Sequence, residues 1–437
     1  MRLRVAAWAC CAVEMTLDPT SLAGKTFPLR GVFDHAVIGG GEAGIAAALA
    51  AAAGGQSVIL LDEQPLDPGL IGLDIPFLFG GRLGAAVQQP ARMEERVVAA
   101  RPGLERALEA GVEVALGVSV WGGFAGAPFI LGLADRATAW LVGARQITIA
   151  AGARDVVVPF AGWELPGVMG ARGLDAAHRL YGDFTGRRVA VIGTGEVTYP
   201  DIALRLVEPT SLRILGTQEV EGIAWLDGHW REAACDTVVM AVDAAPNIEM
   251  ADLLGARIGW EPACGGFVAQ SLPDGVAVIG DAAGTVPVAR AGWMGQALDD
   301  PDRILCACEE VRLSDLRALR PPRYLRAEGP AAGLAALGQG PQDQVKRLTR
   351  AGMGPCQGRR CRDSVQAVLA HESPRMASHR APLRPLPLAV LAALEEDPGL
   401  RANWTGWFGI AEQWLPHWEA VPVNAVFIGG RLSEVGK

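Results

Sequence analysis

Eight cysteines occur among 437 residues, and four of them are spaced as ligands rather than as bridge partners. Cys306-Ala307-Cys308 gives C-x-C, and after 47 intervening residues Cys356 and Cys361 give C-x4-C. Four thiolates can complete a [2Fe-2S] cluster, two to each iron. They also suit tetrahedral zinc, although zinc knuckles usually carry C-x2-C pairs. The spacing favours iron–sulfur and leaves zinc as the alternative. Ala351-Gly352-Met353-Gly354 is flexible enough to fold close and aim backbone N–H groups at sulfur. Glu309 and Glu310 are expected to open one helix and Arg362–Ala370 to form another, with Val365, Val368 and Leu369 on one face. Lys346, Arg347, Arg350, Arg359, Arg360 and Arg362 add positive charge suited to an anionic cluster.

A second constellation is built from glycine. Gly39, Gly41 and Gly44 make G-x-G-x-x-G directly after an apolar run and at the head of an alanine-rich one. The three glycines permit, in turn, a tight turn, close approach of a pyrophosphate, and close helix–strand packing. The phosphates then meet the positive end of the helix. A ribose-binding acid is due about 20 positions on, and Asp62 and Glu63 stand there. Gly193-Thr194-Gly195-Glu196-Val197-Thr198 repeats the pattern without its third glycine. A β-branched threonine obstructs close packing, Pro200 follows, and no ribose acid is evident. This second fingerprint reads as a relic with little or no NAD(P) binding.

The elements that must position these groups alternate in type. His35–Ile38 reads as a strand, Glu42–Ala53 as a helix and Ser57–Leu61 as a strand, which is one βαβ unit. Arg188–Ile192 starts a second, followed by glycines and a helical stretch. Further strands are expected at Val112–Val120, Gln146–Ala150, Thr237–Val242 and Val276–Ile279. Alternation of strand and helix indicates an α/β fold. From Cys306 the pattern changes to short helices and cysteine loops. Beyond Ser373 come the prolines of Pro382–Pro387 and a tail with Trp404, Trp407, Trp414 and Trp418.

Composition excludes several classes. A net charge of -9 argues against nucleic acid, which requires a basic face. Half of the residues are apolar, enough for ordinary cores, and the cysteine density is too low for a disulfide-stapled secreted fold. A reducing, cytoplasmic setting is expected, with peripheral membrane contact left open. No stretch reads as a transmembrane span. Met1–Val13 imitates a signal peptide but is read as part of an N-terminal extension, residues 1–33. The six histidines are scattered and read as surface or structurally satisfied residues, so no catalytic group is assigned within the chain.

Two segments carry a family likeness: Arg154–Met169 (RDVVVPFAGWELPGVM) and Lys346–Cys361 (KRLTRAGMGPCQGRRC). They resemble the FAD-binding alpha (A) subunit of heteromeric amine and amino-acid dehydrogenases. That group includes opine oxidases, hydrogen cyanide synthase, D-hydroxyproline and dye-linked L-proline dehydrogenases, and heterotetrameric sarcosine oxidase. The likeness covers roughly residues 35–390. It implies a thioredoxin-reductase-like body of two dinucleotide-binding domains, with a small C-terminal [2Fe-2S] domain like bacterioferritin-associated ferredoxin. Ile147–Ala153 and Val276–Asp281 resemble flavoprotein segments that lie beside the flavin nucleotide and hold the ribitol chain, which favours FAD over NAD. By position, Gly39, Gly41, Ala43, Gly44, Asp62, Glu63, Val120, Ala150, Gly152, Gly280 and Asp281 would bind FAD. Cys306, Cys308, Cys356 and Cys361 would bind the cluster. Two departures stand out. Pro68-Gly69 leads into Leu70-Ile71 where the family has P-x-P-G-G-Q, and Ala150-Ala151-Gly152-Ala153 replaces A-T-G-A.

The resemblance implies a D-amino-acid-oxidase-like beta subunit with its own flavin, where an amine, imino acid or opine is oxidised. A further small subunit is compatible with it. This chain would relay electrons to a quinone or carrier. The expected division is an FAD domain of residues 34–150 and 245–305, a second dinucleotide domain of 151–244, a cluster domain of 306–372 and a tail of 373–437. The tryptophan-rich tail either docks on the partner or folds back on its own chain. Two alternatives stay open: a stand-alone NAD(P)H-dependent flavin and iron–sulfur reductase, and a redox-silent nucleotide-binding scaffold.

Overall fold

Alanine costs no side-chain entropy in a helix, and Glu42–Ala53 forms α1 over the full expected span. It follows β1 (Val32–Ile38) and precedes β2 (Val58–Asp62), which pairs parallel with β1. Gly44, Ile45 and Ala48 are its buried residues. The helix ends at Gly54-Gly55, the latter left-handed at φ 77°. The computed structural model describes residues 28–70, 81–207, 209, 211–264, 266–284, 298–323, 342–369 and 376–395. Arg30–Ala393 forms one compact unit. The tail tryptophans and nearly all of the N-terminal extension lie outside the described residues.

After α2 (Pro90–Ala100) and α3 (Gly103–Glu109), the expected strand Val112–Val120 is broken into β3 (Glu113–Leu116) and β4 (Ser119–Phe124). Gly117 turns the chain at φ 67° between them, a conformation that glycine adopts without steric cost. β3 pairs parallel with β2, whereas β4 pairs antiparallel with β5 (Phe129–Ala134). β6 (Ala139–Ile149) is the long central strand, over twice the length expected from Gln146–Ala150. One edge bonds β1. The other bonds β5 over Ala139–Ala144 and the later strand Val276–Val278 over Ile147–Ile149.

β7 (Ala153–Asp155) leads to β8 (Val168–Gly170) and α4 (Ala171–Asp175), then β9 (Val189–Ile192) and β10 (Ile202–Leu206). No helix joins β9 to β10, although they pair in parallel, so the expected helical stretch is absent. Residues 193–201 are too few for a crossover that normally takes a dozen or more. Val197, Thr198 and Pro200 also oppose helix within that stretch. Next come the antiparallel meander β11 (Leu212–Leu215), β12 (Gly222–Asp227) and β13 (His229–Ala234), and then β14 (Thr237–Met240). The second sheet has the order β10-β9-β14-β8. β15 (Ala244–Pro246) returns antiparallel to β7, giving a two-strand neck between the sheets.

α5 (Glu249–Leu253), the hairpin β16 (Arg257–Glu261) and β17 (Gly266–Ser271), and β18 (Val276–Val278) complete the first sheet and its surroundings. The cysteine region starts at β19 (Ile304–Cys306), paired with β20 (Val311–Arg312), and continues in α6 (Leu313–Arg317), α7 (Gln342–Thr349) and α8 (Arg362–Leu369). Glu309 and Glu310 do not open a helix. Ala307–Glu309 is a single 3-10 turn, and Glu310 is left-handed at φ 50°, which bends the chain into β20. The helix starts three residues later, where Asp315 accepts a bond from Arg312 N. Leu305, Val311, Leu313, Leu316, Val345, Ala351 and Leu369 form a core of their own with Cys306 and Cys361. α9 (Leu388–Ala392) ends the described chain. No described helix is long and apolar enough to cross a membrane.

Candidate nucleotide cavity and thiol site

The turn between β1 and α1 opens on a cavity of about 1240 Å3. Pockets for drug-sized ligands hold roughly 300–1,000 Å3, so this one has room for an extended dinucleotide. Each fingerprint glycine stands in a different environment. A Cβ at Gly39, itself at φ 112°, would lie 2.2 Å from Ala150 O. One at Gly44 would lie 1.8 Å from Gly39 O, so helix and turn touch there. One at Gly41 would meet nothing within 4 Å. Open space therefore lies at the position where a pyrophosphate would approach the head of α1.

Of the residues expected around FAD, Gly39, Gly41, Asp62, Glu63, Val120, Ala150 and Gly152 line this cavity. Ala43, Gly44, Gly280 and Asp281 are not on its wall. Gly280, at φ 62°, approaches Ala43, and Asp281 is held by Arg172 at 2.7 Å. Asp62 and Glu63 are already engaged. Asp62 Oδ2 accepts from Gly40 N at 2.6 Å and from Arg101 at 2.9 Å, while its Oδ1 accepts from Gln64 N at 2.7 Å. Glu63 takes both prongs of Arg384, at 2.7 and 2.8 Å. Val120 does not end its strand, because β4 continues to Phe124.

At the neck, Asp155 also lines the cavity. Burial pushes its carboxyl up to about 7, against the opposing pull of backbone donors Arg172 N and Gly173 N and of the Arg172 charge. The second glycine turn reaches the same cavity through Thr194, Gly195 and Thr198. Cβ atoms at Gly193 and Gly195 would lie 2.4 and 2.6 Å from Ala241 O, so the close turn survives. The helix N-terminus that would hold phosphates does not. Arg205, on β10, donates instead to Gly193 O and Gly195 O at 2.8 and 3.1 Å.

The four expected thiols are gathered by two separate stretches of chain. Cys306 ends β19, Cys308 lies in the following 3-10 turn, Cys356 lies in the glycine loop, and Cys361 immediately precedes α8. The four interact as one group, most strongly Cys306 with Cys361 and Cys308 with Cys356. Cys306, Cys356 and Cys361 are each 1 % exposed, whereas Cys308 is half-buried, so the group meets solvent on one side. The Cys361 partner lowers the Cys306 thiol, helped by backbone donors at Gly352 and Glu309 and opposed by burial. Cys308 is lowered to about 7, first by Cys356 and then by the Arg360 charge, again against burial. Cys361 is pushed well up by the same contact with Cys306 and by burial. A Cβ at Gly354 would lie 2.4 Å from Cys308 Cβ, which explains a glycine there. Among the described residues, no group of three or more His, Cys, Asp or Glu gathers tightly enough to hold a metal ion.

The surrounding charge is less free than the sequence suggests. Arg350 pairs with Glu309 at 2.6 Å, and Arg362 with Glu249 at 2.9 Å. Burial opposes the ionised form of Glu249, but Arg362, Arg154, His379 and Arg359 hold its carboxyl well below the usual range. Arg154 NH2 binds Asp363 at 3.1 Å, while its other nitrogens donate to Arg359 O and Pro246 O. These buried pairs join the neck to the cysteine loop. His379 is held at Nδ1 by Asp252 at 2.6 Å, whereas its buried Nε2 has no hydrogen-bond partner among the described residues, so this histidine is only half satisfied. Glu249, Arg205 and Arg384 have no local signal in the sequence, since each acts on a partner ten to several hundred positions away.

This α/β arrangement is shared with known enzymes. Residues 33–198 match the pyridine nucleotide-disulphide oxidoreductase family. The chain is an oxidoreductase with the two-dinucleotide-domain flavoprotein fold. It is similar to the A subunit of opine oxidase from Agrobacterium tumefaciens (strain Ach5), 24% identical across 87% of this chain and 95% of the relative. The A subunit of opine oxidase from Rhizobium meliloti (strain 1021) is 25% identical, over 84% of this chain and 99% of its own. These relatives bear out the family resemblance of the two quoted segments. Among solved structures, L-proline dehydrogenase from P. horikoshii shares the fold at a TM-score of 0.59 and 19% identity, over 84% of this chain and 81% of the other.

Proposed function

We propose that this chain is the FAD- and [2Fe-2S]-containing electron-transfer subunit of a heteromeric dehydrogenase or oxidase acting on an amine, imino acid or opine-type amino acid. Substrate oxidation takes place on a D-amino-acid-oxidase-like partner subunit, and a quinone or carrier takes the electrons. The observation that carries the reading is one compact unit holding both a dinucleotide cavity and four associated thiols. The similarity to A subunits of opine oxidases supports the partner. We divide the chain into an FAD domain (34–150 and 245–305), a second dinucleotide domain (151–244), a cluster domain (306–372) and a tail.

FAD, when bound, exchanges electrons singly or in pairs, and the residues here do the holding. Gly41 leaves room for the diphosphate at the head of α1, and Gly39 keeps the turn tight. Asp62 and Glu63 stand at the ribose end. The thiol arrangement supports two irons over one zinc. Zinc knuckles usually carry C-x2-C pairs, whereas C-x-C with C-x4-C supplies four thiolates, two for each iron. Anaerobically purified protein is expected to show flavin absorption and two irons per chain. Zinc in stoichiometric amount, or no metal at all, overturns the cluster.

The NAD(P)H-reductase reading meets the missing helix after β9. Excess NADH or NADPH is expected to leave the flavin absorbance unchanged in stopped-flow mixing, and rapid bleaching would restore that reading. Of the tail 373–437, residues 376–393 are folded on their own chain through His379, Leu383 and Arg384. Partner docking is therefore assigned only to the tryptophans beyond them.

A further inference from the structure

The stretch between the cysteine loop and α9 crosses the rim of the nucleotide cavity. His379 N and Nδ1 both bond Asp252 Oδ2, at 2.9 and 2.6 Å, fixing its near end to α5. Leu383 N donates to Trp121 O of β4 at 2.7 Å. Leu383 O accepts from Arg359, two residues before Cys361. Arg384 then forks onto Glu63, just past β2. Leu383 and Arg384 both line the cavity. The acid at the end of the second strand marks the ribose of a dinucleotide, and the glycine turn marks its phosphates. Arg384 therefore stands at the adenosine end.

We propose that Met376–Ala393 is a strap that closes the adenosine end of the cavity, with Arg384 as its nucleotide-retaining residue. The ligand class is an adenine nucleotide carrying a 5'-diphosphate. The inference rests on the dinucleotide reading of the cavity, but not on a cluster at the thiols. Arg384 holds Glu63 in one orientation through a two-pronged contact, which a point charge cannot reproduce. With Glu63 fixed, its carboxylate is held on the cavity wall at the ribose end, and Leu383 lines the wall beside it. The strap is also tied to the cysteine loop through Arg359, so residues far beyond the glycine fingerprint determine how long the nucleotide stays.

The test uses the full chain with Arg384→Ala and Arg384→Lys, following FAD release by the rise in flavin fluorescence on dilution. ADP binding by calorimetry and FMN binding serve as the adenosine-only and adenosine-lacking probes. Arg384→Ala is expected to speed FAD release about tenfold and to weaken ADP by a similar factor, while FMN affinity is unchanged. Arg384→Lys falls between, because it retains the charge and loses the fork. Unchanged release and ADP affinity in Arg384→Ala overturn the strap. Slower release overturns it too, since Arg384 would then compete with the ribose for Glu63. If wild type binds ADP but no FAD, the flavin reading fails. The ADP series still decides the strap.

Discussion

Glu249→Gln probes the joint between the dinucleotide body and the cysteine loop. Glu249 is 8 % exposed at its side chain, with Arg362, 10 % exposed, at 2.9 Å and Arg359, 3 % exposed, at 4.0 Å. Glutamine keeps the shape and removes the charge, leaving cations in a dry site without their anion. Removing one partner of a buried pair costs about 3–5 kcal/mol. At ~2.1 cal/mol/K per residue, the unit Arg30–Ala393 unfolds with an entropy near ~0.8 kcal/mol/K, so Tm falls by about 4–7 °C. The pH dependence supplies the sharper check. A carboxylate whose folded pKa is depressed contributes stability above its ordinary value of about 4.3, and loses it as pH falls toward the folded value. The gap between wild type and Glu249→Gln therefore persists from pH 8 to 5, widening if anything as His379 takes up its proton, and closes only in stronger acid. The assay is scanning calorimetry across that range. Equal melting at pH 7, or a gap that closes already between pH 6 and 5, refutes the account.

Gly41→Ala and Gly44→Ala separate binding from folding. A methyl at Gly41 meets open space and an ordinary φ of -78°, so the variant keeps wild-type stability within about 0.5 kcal/mol but loses FAD, as absorbance of the purified protein would show. A methyl at Gly44 collides with Gly39 O at 1.8 Å and is expected to destabilise by several kcal/mol in denaturant melts. Asp155→Asn tests the neck carboxyl. A folded value raised from 3.8 to about 7 gives stability below pH 4 that is lost as pH rises to 7, up to about 4 kcal/mol. The asparagine variant is expected to lack that decline. Parallel stability curves for the two proteins over pH 4–7 would count against it.

Much of the first βαβ unit was legible because its determinants are local. Alanine propensity sets α1, the glycines set the turn, and Asp62 follows at the spacing a dinucleotide needs. The four cysteines were legible for a similar reason, since few residue types offer a thiolate. What local patterns cannot convey is the length of a connection in three dimensions. Gly193 and Gly195 suggest a second βαβ unit, yet the nine positions before β10 leave no room for its helix. Likewise the cluster of arginines at 346–362 reads as free positive charge, and only the fold brings Glu249 and Glu309 against it.

The amino-acid order thus decides which backbone can turn tightly and where sulfur is concentrated, because both follow from the covalent nature of single residues. Tertiary structure decides which charges neutralise one another and which wall closes the cavity. Arg384 meets Glu63 across 321 positions, and no short-range pattern records such a meeting. A pair of that kind exists only when burial of the intervening cores brings its two ends together.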